Sequence, residues 1–196
     1  MTKVALLGAG GKMGVRLAQN LKPTRFEIDH VEVSDEGRAR LSKEVGVEAV
    51  ANADNAISDA DVILMAVPDR LIGKIAHGFI EKVKPGAAIM VLDAAAPYAG
   101  EMPERDDVTY FCTHPCHPHI LEAHDSIEAQ EDYFGGIAAT QGIVCALIQG
   151  PEEHYDLCEE IAKIIYGPVS RSHRCTLENI AVLEPALSET VAATFC

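Results

Sequence analysis

Gly8, Gly10, Gly11 and Gly14 stand in the run Gly8-Ala9-Gly10-Gly11-Lys12-Met13-Gly14, directly after an apolar stretch and ahead of a helical pattern. Glycines so placed let the backbone turn tightly and approach a pyrophosphate, whose charge then rests on the amides opening the helix. Lys12 and Met13 belong to the same cradle. The spacing, GxGxxxG, is one residue longer than the commonest dinucleotide fingerprint. A triphosphate loop requires Gly-Lys followed by Ser or Thr, and Lys12 is followed by Met13. A Tyr-x-x-x-Lys catalytic pair is also excluded, because Tyr155 and Tyr166 have Glu159 and Ser170 at that offset.

A dinucleotide needs a group to read its ribose, roughly 20 residues beyond the last glycine. Ser34 and Asp35 occupy that place, with Glu32 the less favoured third candidate. An acid there favours NAD over NADP. Arg38 and Arg40 keep NADP open, although a helix of mixed charge ordinarily makes a solvated face. Val67 and Pro68, ending a later strand, are where the second half of the cofactor lies against backbone; a simple strand stop is the alternative.

The segment Cys112-Thr113-His114-Pro115-Cys116-His117-Pro118-His119 follows the carboxyl end of a strand, the edge where open α/β sheets place ligands. Two prolines stiffen it and aim the imidazoles, which serve as base or metal ligand near neutral pH. A rigid turn with exposed histidines is the plainer alternative, and the spacing fits no closed zinc site. Glu184 precedes Pro185 within a helical run, where proline removes an amide and frees a carbonyl one turn earlier. Ser188 lies one turn onward on the same face. A tolerated kink with a solvated glutamate is the alternative there.

Short apolar runs alternating with helical patterns must position these groups. Strands are expected at Lys3–Leu7, Phe26–Ser34, Val47–Val50 (weakly), Asp61–Val67, Ala87–Leu92, Val108–Thr113 and Gly142–Ile148. Met13, Leu17 and Leu21 recur every four residues as one buried stripe ending at Pro23. Further helices are expected up to Gly46, from Arg70 to Val83 and from Pro151 to Ile165, the last with acids in its first turn. The pattern predicts an α/β fold, a Rossmann-type mostly parallel sheet over residues 1–174. Residues 175–196 then begin a helical C-terminal domain. The run from Thr176 to Cys196 stops while still apolar, which points to packing against a partner or to a longer natural protein.

A hydrophobic fraction of 48% with 23% charged residues suits a globular core. The net charge of −14 argues against nucleic acid and against an anionic membrane surface. No apolar run approaches the roughly 20 residues of a membrane helix, and no signal-like start is present. A cytoplasmic location is expected. The six cysteines show no repeated CxxC pairing and read as buried free thiols.

With GAGGKMG, DVILMAVPD, THPCHP and LEPALSET in view, the chain resembles the D-apionate oxidoisomerase family, distant relatives of the 6-phosphogluconate and β-hydroxyacid dehydrogenases. The likeness spans the whole chain, and the THPCHP and LEPALSET pair makes it specific. His114-Pro115 is also similar to a His-Pro of prephenate dehydrogenases. Glu184 is similar to a metal-binding carboxylate of ketol-acid reductoisomerases. The resemblance implies an NAD-dependent oxidoreductase acting on a small branched hydroxy acid, with a divalent metal shared by His114 and Glu184. It also implies a homodimer formed through a helical C-terminal domain. On the residue reading, His117 is expected as the base, with Glu184 and Ser188 as further catalytic residues. Two departures stand out. The β-hydroxyacid dehydrogenases carry a catalytic lysine on that helix, and Leu177 to Cys196 contains none. The start is also like that of dihydrodipicolinate reductases, whose later His-His motif has no match here.

Overall fold

Among the described residues seven strands form one sheet in the order β2-β1-β3-β4-β5-β6-β7. They are β1 (Lys3–Leu7), β2 (Glu27–Val31), β3 (Val62–Met65), β4 (Ala88–Val91), β5 (Thr109–Pro115), β6 (Gln141–Gln149) and β7 (Val169–Arg174). The computed structural model describes residues 1–118, 126–133, 135–183 and 185–186. All neighbouring strands run parallel except β5 and β6, which are antiparallel. This is the Rossmann-type, mostly parallel α/β fold that the alternation of patterns predicts.

Helices cover both faces, so the central strands must be apolar on both sides. Every residue of β3 and β4 is buried. One face packs against α1 (Lys12–Leu21) through Leu17, Ala18 and Leu21, and against α7 (Glu153–Ile165) through Cys158, Ile161 and Ile165. The opposite face packs against α3 (Asp54–Asp59) and α4 (Ile72–Phe79) through Ile57, Ile72, Ala76 and Phe79. Each fully buried leucine or isoleucine contributes about 1.5–3 kcal/mol. Between them run α2 (Asp35–Val45), α5 (Ala95–Tyr98) and α6 (Ile127–Glu131). Ser34 caps α2 by accepting the Gly37 N–H at 3.0 Å, and Gly46 closes it at φ +70°.

Several elements differ from the sequence expectation. Val47–Val50 is not a strand: only Val50 bridges, to Val31, because a few residues separate it from the cap of α2. The helix expected from Arg70 to Val83 divides into a 3₁₀ turn (Asp69–Leu71), α4 and a second 3₁₀ turn (Ile80–Lys82), such tightened turns being common at helix ends. β7 has no counterpart in the expectation, since its sequence, VSRSHR, is polar along an edge. Beyond it, Thr176 and Asn179 exchange side-chain and backbone hydrogen bonds, and Asn179–Leu183 forms a wide π turn that buries Ile180. No helix among the described residues is long and apolar enough to cross a membrane. Cys112, Cys145 and Cys158 are buried free thiols; Cys116 is exposed, against the expectation, because it sits in the loop leaving β5.

Candidate active site at the carboxyl edge of the sheet

The glycine run turns the chain from β1 into α1 at the point where the strand order reverses, between β1 and its two neighbours β2 and β3. Gly8 lies at φ +78°, and a Cβ there would fall 2.3 Å from the Ala66 carbonyl oxygen, so no other residue fits. Gly10 meets the backbone of Gly37 in the same way, a Cβ coming within 2.4 Å. Gly14 packs beneath Gly8. Gly11 is the N-cap of α1 and offers no side-chain acceptor, which leaves the first-turn amides open to an anion. Lys12 and Met13 flank that opening on the exposed surface.

Glu32 leaves the end of β2 only 8% exposed. Its carboxylate accepts the Gly10 N–H at 3.0 Å, the Ser34 N–H at 2.9 Å and the Ser34 hydroxyl at 3.0 Å. Ser34 is therefore occupied by Glu32 and the α2 cap, while the Asp35 side chain is 95% exposed and pairs with Arg38. Arg38 also donates to the Glu32 and Val33 carbonyls, both at 2.9 Å. Arg40 donates to the Gly10 carbonyl at 2.8 Å. Both arginines that kept NADP open are thus engaged with backbone. A largely apolar cavity of about 320 Å³ opens beside Gly8, Glu32 and Val33, walled by Ile57, Val67 and Phe79. Of the three ribose candidates, Glu32 alone lines it. A larger cavity, about 670 Å³, lies at the opposite edge near Met1, Asp61 and His154, remote from every candidate residue.

The strands next in order bring the histidine segment to the same edge. Val91 of β4 pairs with Cys112 of β5, so Asp93, just past β4, and His114, near the end of β5, are each two residues beyond that pair on neighbouring strands. Asp69 follows Pro68 in the turn after β3. Burial and the Asp93 carboxylate push the Asp69 carboxyl up, and His114 pulls it back. The His114 and His117 rings stand edge to face with centroids 6.4 Å apart. His117 adopts φ +57°, a conformation non-glycine residues rarely take, and such strain concentrates at functional sites. Asp93 escaped the sequence analysis, although an acid just beyond an apolar strand was the available signal. Glu184 and Ser188 lie outside the described residues. Among the described residues no three His, Cys, Asp or Glu side chains stand close enough to hold a metal ion.

A glycine turn braced by a buried glutamate, an apolar cavity at the switch point and polar groups on the next strands define a Rossmann-type dinucleotide-binding fold with its site on the carboxyl edge. Residues 1–118 match the family model of the acetohydroxy acid isomeroreductase NADPH-binding domain, and residues 122–196 that of the phosphogluconate dehydrogenase (decarboxylating) C-terminal region. D-apionate oxidoisomerases of Rhizobium rhizogenes and Cupriavidus necator are 56% and 54% identical to the chain, over 99% and 98% of its length and 70% and 69% of theirs. A crystal structure from Cupriavidus necator, described as a semialdehyde dehydrogenase NAD-binding protein in complex with calcium and NAD, superposes with a TM-score of 0.94. It is 53% identical and covers 100% of this chain and 70% of that one. An NADH-preferring ketol-acid reductoisomerase from an uncultured archaeon shares the fold, with a TM-score of 0.72 at 19% identity over 99% of this chain and 59% of its own. The chain belongs to the D-apionate oxidoisomerase family.

Proposed function

We propose that the protein is an NAD-dependent oxidoreductase acting on D-apionate, coupling oxidation at C2 to rearrangement of the carbon skeleton into 3-oxo-isoapionate. The observation that carries this reading is the likeness to D-apionate oxidoisomerases at 56% identity over 99% of the chain. Glu32 supports NAD over NADP: a buried carboxylate suits two ribose hydroxyls and repels a 2′-phosphate, and both nearby arginines are engaged elsewhere.

Gly8, Gly10, Gly11, Lys12, Met13 and Gly14 hold the pyrophosphate, and Val67 and Pro68 lie against the rest of the cofactor. Hydride leaves C2 of the acid for the nicotinamide while His117 takes the hydroxyl proton. The 2-oxo acid so formed carries a neighbouring tertiary alcohol, from which a hydroxymethyl group migrates. A divalent metal would be held by His114 and Glu184, with Ser188 as a further catalytic residue. An imidazole and a carboxylate are ordinary donors for such an ion, and when bound it polarises the carbonyl and acidifies the alcohol. The described residues contribute His114 to that set. Residues 1–174 form the cofactor domain in this reading, and 175–196 begin a helical domain through which two copies pair.

NADH formation from NAD, followed with D-apionate and with unbranched hydroxy acids, with and without a chelator, tests the assignment in the natural full-length protein. Chelator-sensitive turnover of the branched acid alone is expected. Chelator-resistant turnover of unbranched acids would instead make it a plain hydroxyacid dehydrogenase.

A further inference from the structure

Arg16 lies on α1, two residues beyond the last glycine of the run, and is only partly exposed. Its Nε and Nη2 atoms are buried and have no hydrogen-bond partner. These two N–H groups form one edge of the guanidinium, the edge that receives a carboxylate through two parallel hydrogen bonds. Buried polar groups are nearly always paired, so an unpaired fork calls for a ligand. Burial pulls the guanidinium below its ordinary value, and Asp132 opposes this. Asp132 does not satisfy the fork: its Oδ2 accepts the N–H groups of Ile137, Ala138 and Ala139, and neither buried Arg16 atom has a hydrogen bond to it.

A second unpaired atom lies close by. Gln141 is 1% exposed, its amide N–H donates to the Tyr166 carbonyl at 2.8 Å, and its Oε1 has no donor. The Gly135-Gly136 turn separates the two groups. A Cβ on Gly135 would come within 2.7 Å of the Gln141 amide, and one on Gly136 within 1.8 Å of Arg16 Nη2. Gln141 also adjoins the candidate catalytic segment: Pro115 pairs with Ile143 and the Cys116 N–H donates to the Gly142 carbonyl at 2.9 Å, so the chain carrying His117 leaves beside Gln141.

An unpaired two-donor fork and an unpaired acceptor, flanking one glycine turn, match a small acid whose carboxylate lies next to a hydroxyl. We propose that Arg16 and Gln141 bind the carboxylate and one hydroxyl of the hydroxy-acid substrate, under the Gly135-Gly136 turn that closes the site in this structure. The assignment rests on the hydroxy-acid reading above and supplies what that reading lacks, a fixed cation for the acid group in a chain of net charge −14. Both glycines sit at positive φ, +70° and +91°, and carry no side chain to obstruct movement of the turn.

The test compares Arg16→Lys, which keeps the charge and loses the fork, and Arg16→Met, which loses both, in the full-length protein. The KM for D-apionate should rise at least about tenfold in both variants, with the Kd for NAD unchanged. Arg16→Met removes a buried fork that no hydrogen bond satisfies but also the field that Arg16 lends to Asp132, so its Tm should change little while KM rises; a purely structural arginine would lower the Tm and leave KM alone. An unchanged KM in either variant overturns the proposal, as does a loss of NAD affinity matching the loss of turnover. Should wild type fail to turn over D-apionate, the functional reading falls separately. Glycolate titrated into the NAD-loaded protein then tests the fork alone: binding weakened by Arg16→Lys supports it, and equal or absent binding overturns it.

Discussion

The backbone N–H of Gly10 donates to the Glu32 carboxylate at 3.0 Å, joining the glycine turn to the end of β2 as one rigid unit. The same carboxylate holds both the N–H and the hydroxyl of Ser34, and through Ser34 the cap of α2. Glu32→Gln keeps the shape and removes the charge. It should destabilise the fold by about 1–3 kcal/mol, the range for hydrogen bonds to a buried charged group. It should also lower the preference for NAD over NADP at least about tenfold. Urea titration and the ratio of KM values for the two cofactors read the two effects; a preference left intact would show that Glu32 braces the turn without reading the ribose.

Gly14 and Gly78 should respond to alanine with opposite signs. A Cβ on Gly14 would fall 2.0 Å from the Gly8 carbonyl oxygen, a backbone atom with no freedom to retreat. Gly14→Ala should cost at least ~1–3 kcal/mol and weaken NAD binding, because the cradle itself must shift. Gly78, within α4, has nothing within 4 Å of its Cβ position. Gly78→Ala should raise stability by ~0.5–1 kcal/mol through reduced freedom of the unfolded chain. Thermal melts of the two variants check both signs.

These two glycines also mark what the sequence could and could not disclose. Gly8 to Gly14 were legible because the chemistry of a pyrophosphate turn needs those positions and little else. The buried strands were legible for a similar reason: VILM and AIMV can only be interior. β7 was not, because an edge strand written VSRSHR satisfies half of its backbone with water and carries no apolar alternation. Glu32 stood behind Ser34 and Asp35 because distance along the chain says nothing about which side chain turns inward. In the folded structure it is Glu32 that turns inward, accepting three hydrogen bonds. Arg16 and Gln141 were invisible for a deeper reason: an unsatisfied donor exists only once every neighbour is in place.

Asp132 gives the fold an acid-sensitive point. Burial pushes its carboxyl up, but three backbone N–H groups and the field of Arg16 outweigh burial and bring it below the ordinary range. A carboxyl depressed on folding adds stability that is fully present above its unfolded value, near 3.9, and is lost as pH falls through the folded value. Wild type should therefore lose more stability than Asp132→Asn as the pH falls from about 5 towards 3. At neutral pH the variant should be weaker by ~1–3 kcal/mol, since Asn offers the same oxygen without the charge. Urea midpoints across that range decide the matter, and parallel curves for the two proteins would remove Asp132 from the account.

His114 and Glu184 should separate cofactor binding from chemistry. His114 lies near the end of β5, two positions beyond the Val91–Cys112 pair, and is not among the residues walling the cavity beside the glycine turn. His114→Ala and Glu184→Gln should each leave the Kd for NAD within about twofold of wild type. Turnover of D-apionate should fall by at least about 10²-fold, the lower range for losing a group that acts in the transition state. If the two residues share one metal, their effects will not add: the double variant should be no worse than the poorer single one, because either loss already empties the site. Additive losses would mean separate roles, and a Kd for NAD that rises with the loss of turnover would return both residues to the cofactor site. Metal content by mass spectrometry gives the independent check, falling in both single variants if the ligands are shared and in neither if the histidine acts only on protons.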